Sequence, residues 1–189
     1  MTMVAKDTWD FLFQYENLQF ADGRNMTYLC YCVEEKNGDT PMLLHIDVLQ
    51  NEVAGSHVEI LFLSFMRRFL ASIDQSLQEA RESQVTWYIS WSPCADCANT
   101  VATFLRERNN VHLRLFASRL YYRDVPEYQQ GLRALKEAGA QVEIMSSLEF
   151  SDCWDHFVDH QGECFEPWEE MDENVEIFSQ KLQDILETR

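Results

Sequence analysis

Apolar and polar positions change period several times along this chain, and the changes mark its elements. WDFLFQYENLQF (9–20) has helix-like apolar spacing and runs into Asp22-Gly23, a turn signal. TYLCYCVEE (27–35) and MLLHIDVL (42–49) read as strands joined by the turn KNGDTP (36–41), which makes a hairpin. HVEILFLSFMRRFL (57–70) returns to helical spacing, VTWYIS (85–90) is a β-branched and aromatic strand, and ADCANTVATFLRER (95–108) is a helix. VHLRLFAS (111–118) is the next strand. PEYQQGLRALKEAG (126–139) is a helix with Pro126 at its start and Gly139 at its end. A short buried strand, QVEIM (141–145), precedes two final helices, LEFSDCWDHFVDH (148–160) and NVEIFSQKLQDILE (174–187). No repeat, low-complexity tract or linker breaks the series. An opening hairpin followed by alternating helices and strands predicts one α/β domain over residues 1–189, with a mixed sheet and helices on both faces.

Composition narrows the setting. The length of 189 residues and 46% hydrophobic content suit one globular domain with a full core. No apolar run reaches membrane-spanning length, so no membrane partner is expected. The start, MTMVAKDTWDFLF, lacks a signal-peptide pattern, because Lys6, Asp7 and Asp10 interrupt any apolar core. An intracellular protein is expected, cytoplasmic with the nucleus as a second compartment. In a reducing compartment the six cysteines are better suited to metal ligation or packing than to disulfides. Cys30 and Cys32 alternate with Leu29, Tyr31 and Val33 and read as packing.

The net charge of −17 argues against broad electrostatic binding of nucleic acid. It is unevenly spread: residues 143–189 hold 14 acids and 2 bases, a net of −12. That acidic quarter is either a solvated helix face or the surface for a protein partner. The bases are 11 Arg and only 4 Lys, and Arg is the better residue for bidentate phosphate contact and stacking.

The chemistry sits in two motifs. SWSPCADC (90–97) carries a C-x-x-C, Cys94 and Cys97, behind Pro93. Alone, that pair is more often structural or redox than catalytic. Upstream, SHVE (56–59) places His57 and Glu59 at the start of a helix. The joint pattern is the zinc-deaminase signature, in which one His and two Cys hold Zn²⁺ and a carboxylate that does not bind the metal moves protons. Three protein ligands leave a fourth tetrahedral position for water, whereas a structural zinc site wants a fourth Cys or His. Deamination at C4 of cytosine needs a proton delivered to N3 and to the leaving amine, hence the nearby carboxylate. A cysteine pair at a helix start is held as thiolate by the helix dipole and the metal.

With these motifs, the chain resembles the AID/APOBEC polynucleotide cytidine deaminases along nearly its whole length. The stretches that carry the likeness are GRNMTYLCYCVE, LQNEVAGSHVEILFL, VTWYISWSPCADCA, FLRERNNVHLRLFASRLYY, GLRALKEAGAQVEIM, EFSDCWDHFVDHQG and FEPWEEMDEN. The first half is most similar to activation-induced deaminase and the second to the antiviral APOBEC branch. The resemblance implies a cytidine-deaminase-like three-layer sandwich, a five-stranded mixed sheet surrounded by about six helices. It implies hydrolytic deamination of cytosine to uracil in single-stranded DNA, or RNA, in the settings of DNA editing, innate immunity and antiviral defence. His57, Cys94 and Cys97 become the zinc ligands and Glu59 the proton shuttle. Trp91 and Ser92 line the cytosine pocket, Asn51 contacts the sugar and backbone, and Arg24 and Thr27 lie on the loop beside the pocket. Tyr121 stacks on the target base, and Tyr122 and Arg123 follow on the loop that chooses the 5′ neighbour. Arg119 is expected to support that loop or pair with an acid, and Trp154, Phe157 and Trp168 to pack.

The chain also departs from the family pattern. His57 to Cys94 spans 37 residues, several more than expected, with the extra length in RRFLASIDQSLQEARESQ (67–84), read as a longer helix or loop away from the zinc. The loop YYRDVPEY matches neither main branch. Family members that act on DNA are usually basic. A small positive groove from Arg24, Arg119 and Arg123, with Arg67 or Arg68, would serve weak local binding. The rival readings are a zinc-bearing, non-enzymatic interaction or regulatory domain of the same fold, and a deaminase of free nucleosides.

Overall fold

The computed structural model describes residues 7–36, 40–51, 55–72 and 82–188. Residues 37–39 of the turn expected over 36–41 lie outside these residues, as does the middle of the long segment 67–84. Helix α1 (Thr8–Tyr15) is followed by strands β1 (Tyr28–Glu35) and β2 (Met42–Gln50), then helix α2 (Val58–Ser72). Strand β3 (Ser83–Trp91), helix α3 (Ala95–Glu107), strand β4 (Val111–Arg119), helix α4 (Pro126–Glu137) and strand β5 (Gln141–Ile144) alternate. Helices α5 (Ser147–Phe157) and α6 (Met171–Glu187) close the chain.

The five strands form one sheet in the order β2-β1-β3-β4-β5. β1 is antiparallel to both β2 and β3, and β3, β4 and β5 are mutually parallel. This is the mixed sheet the sequence predicts. Strand period sorts the side chains: Leu29, Tyr31 and Val33 enter one core and Tyr28 and Cys30 the other. The larger core lies under α2, α3, α4 and α6, with Phe62, Met66, Val101, Leu132 and Phe178 against Trp87, Ile89 and Leu115. On the opposite face α1 and α5 supply Phe11, Tyr15, Phe150 and Trp154 against Tyr88 and Phe116. The result is three layers. Cys30 is fully buried, as its packing role requires, and Trp154, Phe157 and Trp168 all join this second core.

Helix α1 is shorter than its apolar spacing, ending at Tyr15 rather than continuing towards Phe20. Tertiary contacts stop it. Asn17 is fully buried, donating to the Met171 carbonyl at 3.0 Å and accepting from Trp168 Nε1 at 2.7 Å. The carbonyls of Gln14 and Glu16, left over at the helix end, accept from the Arg119 guanidinium. Helix α4 begins at Pro126 as expected, and Gly139 follows it with φ +92°. Gly131 lets α4 approach α3: a Cβ there would lie 3.0 Å from Ala98 Cβ and 3.3 Å from Ala95 Cα. Among the described residues no helix is long and apolar enough to cross a membrane.

Candidate metal centre and base pocket

The chemistry gathers where the N-termini of α2 and α3 meet the C-terminal ends of β3 and β4. β3 ends at Trp91, and Ser92-Pro93-Cys94 carry the chain into α3, whose cap is Cys94. Cys97 lies in the first turn of that helix and is buried. His57 immediately precedes α2, its carbonyl accepting from the Ile60 and Leu61 amides at 3.0 and 3.1 Å. Two helix N-termini therefore point at one spot, where their dipoles favour negative charge.

There His57 Nδ1 lies 3.5 Å from Cys94 Sγ and 3.3 Å from Cys97 Sγ. All three donor atoms fall within 4.8 Å of one another, and they are the one His/Cys/Asp/Glu group among the described residues placed to hold a metal ion. The fit to zinc is direct. A tetrahedral centre with metal–sulfur bonds of about 2.3 Å and a metal–nitrogen bond of about 2.0 Å has N···S edges of about 3.5 Å. The thiols are also poised for a cation. The hydrogen bond from Cys97, with help from His57, lowers the Cys94 pKa to about 5, while Cys97 is pushed well up by serving as its donor and by burial. The pair shares a proton that a bound cation would displace.

Glu59 sits one residue into α2 and is 3% exposed. Burial raises its pKa to about 7, with the negative Cys94 adding to the shift. It faces the same pocket as His57 and Cys94, a cavity of about 370 Å³. Arg24, Thr27, Asn51, Trp91, Ser92, Tyr121 and Tyr122 complete the expected lining, with Ala21 and Asn25.

Hydrogen bonds show how these residues are set. Asn51 Oδ1 accepts from the Thr27 amide at 2.7 Å, and the Asn51 amide donates to the Thr27 carbonyl at 3.2 Å, joining the ends of β2 and β1. Ser92 Oγ accepts from the Tyr121 amide at 2.8 Å, and the Ser92 amide donates to the Arg119 carbonyl at 2.9 Å. Trp91 Nε1 donates to the Arg24 carbonyl at 3.0 Å. The Tyr121 ring is edge-on to Trp91 at 5.8 Å and packs with Tyr122 and Tyr128 at 4.5 and 5.5 Å. Tyr128, three positions into α4 register from Val125, is the aromatic that sequence reasoning missed; its place beside Pro126 near the loop was the available signal.

The arginines behave differently from the groove the sequence suggests. Arg24 is ion-paired with Glu16, donates to the Phe13 carbonyl at 2.8 Å and stacks on the Phe13 ring at 4.3 Å. Arg119 is fully buried. Burial, with Arg24 nearby, lowers its pKa to about 9, which leaves it a cation at neutral pH. Arg123 is not brought into the pocket: its guanidinium lies over Phe178 of α6 at 5.3 Å and its Nε is 3.8 Å from Asp124. Arg67 and Arg68 are exposed on α2. The three arginines nearest the pocket are engaged by the protein itself.

A profile of the APOBEC3 cytosine deaminase domain matches residues 4–186, across both the likeness-bearing motifs and the acidic quarter. The chain belongs to this family. It is 41% identical over 184 residues to the mouse DNA dC->dU-editing enzyme APOBEC-3, covering 97% of this chain and 40% of that protein. The rat DNA dC->dU-editing enzyme APOBEC3 is 41% identical over 97% of this chain and 42% of its own length. The mouse C->U-editing enzyme APOBEC-2 is 37% identical over 93% of this chain and 77% of its own length. The chain thus spans about two fifths of the length of the two rodent APOBEC3 relatives.

Proposed function

We propose that this APOBEC3 domain hydrolytically deaminates cytosine to uracil in single-stranded DNA, with Zn²⁺ held by His57, Cys94 and Cys97. One observation carries the reading. Glu59, a carboxyl 3% exposed, lies in the same base-sized pocket as His57 and Cys94, and its pKa is about 7. Zinc, when bound, supplies a water acidic enough to react as hydroxide near neutrality. The chain supplies the rest. The reaction adds water at C4 and expels ammonia, so protons must reach ring N3 and the departing amine. A buried carboxyl whose pKa burial raises towards neutrality can accept a proton and return it. Trp91 and Tyr121 offer aromatic surface to a flipped-out base. Asn51, its oxygen held by Thr27, keeps the NH₂ group for donation to the substrate.

The rim supports a polynucleotide substrate. Tyr122 is 56% exposed beside the pocket, so a neighbouring base has a surface to meet, which a free nucleoside would leave unused. RNA shares this stacking chemistry and is the second polynucleotide to assay. A zinc-bearing interaction domain of the same fold gains nothing from a buried carboxyl that makes no metal bond.

The test is uracil formation in single-stranded oligonucleotides with cytosine in all four 5′ contexts, with zinc quantified, beside Glu59→Ala and free cytidine. Uracil from the parent oligonucleotide reaction and none from the variant is the expected result. A folded, zinc-loaded parent that makes no uracil overturns the reading.

A further inference from the structure

The loop after β4 is held from two sides, and the residue between the two grips is Tyr122. On the β3 side, the Tyr121 amide is fixed to Ser92 Oγ at 2.8 Å. On the other side, five contacts fix residues 123–125. The Arg123 carbonyl accepts from Gln129 Nε2 at 2.8 Å, and its guanidinium lies over the Phe178 ring at 5.3 Å. Asp124 Oδ1 takes Lys181 Nζ at 2.7 Å while Asp124 Oδ2 faces Arg123 Nε at 3.8 Å. The Val125 amide closes the turn onto the Tyr122 carbonyl at 2.9 Å.

Tyr122 itself has φ +45°, in the left-handed region that non-glycine residues enter at a cost. Such a conformation persists only where surrounding contacts over-determine it. Its ring packs on Tyr121 at 4.5 Å and Tyr128 at 5.0 Å yet stays more than half exposed at the pocket rim. Phe178 and Lys181 lie three residues apart on α6, so they share the face that meets this loop. Helix α6 has a buried face of Met171, Phe178, Leu182 and Ile185, and its acids Asp172, Glu173, Glu176, Asp184 and Glu187 point outward. Lys181 is the one base in that helix, and it is spent on the loop.

We infer that Arg123, Asp124 and Lys181 are positioning residues: they couple helix α6 to the substrate rim and set the pose of Tyr122. Choice of the base next to the target cytosine then depends on side chains that do not touch the substrate. Arg123 acts through Phe178 and Asp124 rather than by reading a base. The inference rests on the deaminase reading for its effect on substrate, but the clamp is a property of the loop and has its own readout.

The experiment uses Asp124→Lys, Lys181→Glu and the double charge reversal. Each is assayed on zinc-loaded protein for kcat and KM in the four 5′ contexts and for hydrogen exchange of the 121–129 backbone. Each single variant leaves two like charges facing, so the ratio between best and worst contexts should fall about two- to fivefold, mainly through KM. Exchange at the Val125 amide should speed up by a similar factor. The double variant restores the pair in reverse and should return both readouts towards the parent. Unchanged exchange and context ratio in the singles, or a double variant no better than either single, overturns the inference. A parent that makes no uracil sinks the deaminase reading alone, and the exchange measurement still decides the clamp.

Discussion

The guanidinium of Arg119 lies 4.3 Å from the centroid of the Trp91 ring, buried beneath the pocket wall. The two residues end neighbouring strands and are paired in the β3–β4 register. The cation faces the π-surface of the indole while the indole N–H holds the Arg24 carbonyl, so one stack joins two strands to the loop beside the pocket. The same guanidinium caps α1 through the Gln14 and Glu16 carbonyls. Arg119→Met should therefore cost about 3–5 kcal/mol in denaturant unfolding, two charge-assisted hydrogen bonds and a stacked cation being lost together. Lys keeps the charge but not the planar fork, so Arg119→Lys should recover less than half of that loss. Folded variant should also lose about tenfold or more in kcat/KM on the oligonucleotide, because the Trp91 wall loosens.

Glu59→Gln separates chemistry from structure. It removes the proposed proton carrier while keeping shape, so activity should fall by at least about 10²-fold with zinc content unchanged. Its stability effect depends on pH, with a definite sign. The folded-state pKa is about 7, raised from 4.5 by burial. The protonated carboxyl thus stabilises the fold fully below pH 4.5, and that contribution is lost as pH rises through 7. Glutamine carries no such titration. Relative to the parent, the variant should gain stability between pH 4.5 and 7 and stay level above, by on the order of 3 kcal/mol. Denaturant unfolding of chelator-treated protein across pH 4–8 checks it. A difference that is flat with pH would show that the carboxyl titrates alike in the folded and unfolded chain, with no upward shift.

Strand and helix order, the mixed sheet and the His57–Cys94–Cys97 group with Glu59 were all legible from the chain. Short-range periods and a fixed spacing of chemically distinctive residues encode them. What was hidden depends on partners far apart in sequence. Apolar spacing carries α1 past Tyr15, but the buried Asn17 binds Met171, 154 residues away. Arg24, Arg119 and Arg123 look like a basic groove in one dimension. Folding commits them to Glu16, the end of α1, and Phe178 with Asp124. An arginine's sign is visible in a sequence, while its counter-ion is not. Tyr128 is a different case: its neighbours Tyr121 and Tyr122 are only seven and six residues away, and the turn into α4 brings the three rings together.

Those committed arginines bear on how an acidic protein of net charge −17 would hold the polyanionic substrate proposed for it. Each phosphate neutralised on a single strand contributes about −0.7 to the slope of log affinity against log salt. With Arg24 paired, Arg119 buried and Arg123 turned to α6, few cations remain at the rim to neutralise phosphate. Stacking must carry more of the binding, and the rim provides Tyr121, Tyr122 and Trp91. A base stacked on an aromatic is worth about 1–3 kcal/mol and is insensitive to salt. Fluorescence anisotropy with a labelled oligonucleotide from 50 to 300 mM salt should give a slope shallower than about −2. Tyr122→Ala should weaken binding by about 5- to 100-fold and leave that slope unchanged, since it removes a ring and no charge. A slope steeper than about −4 would mean that phosphate contacts dominate, from a basic surface other than these three arginines.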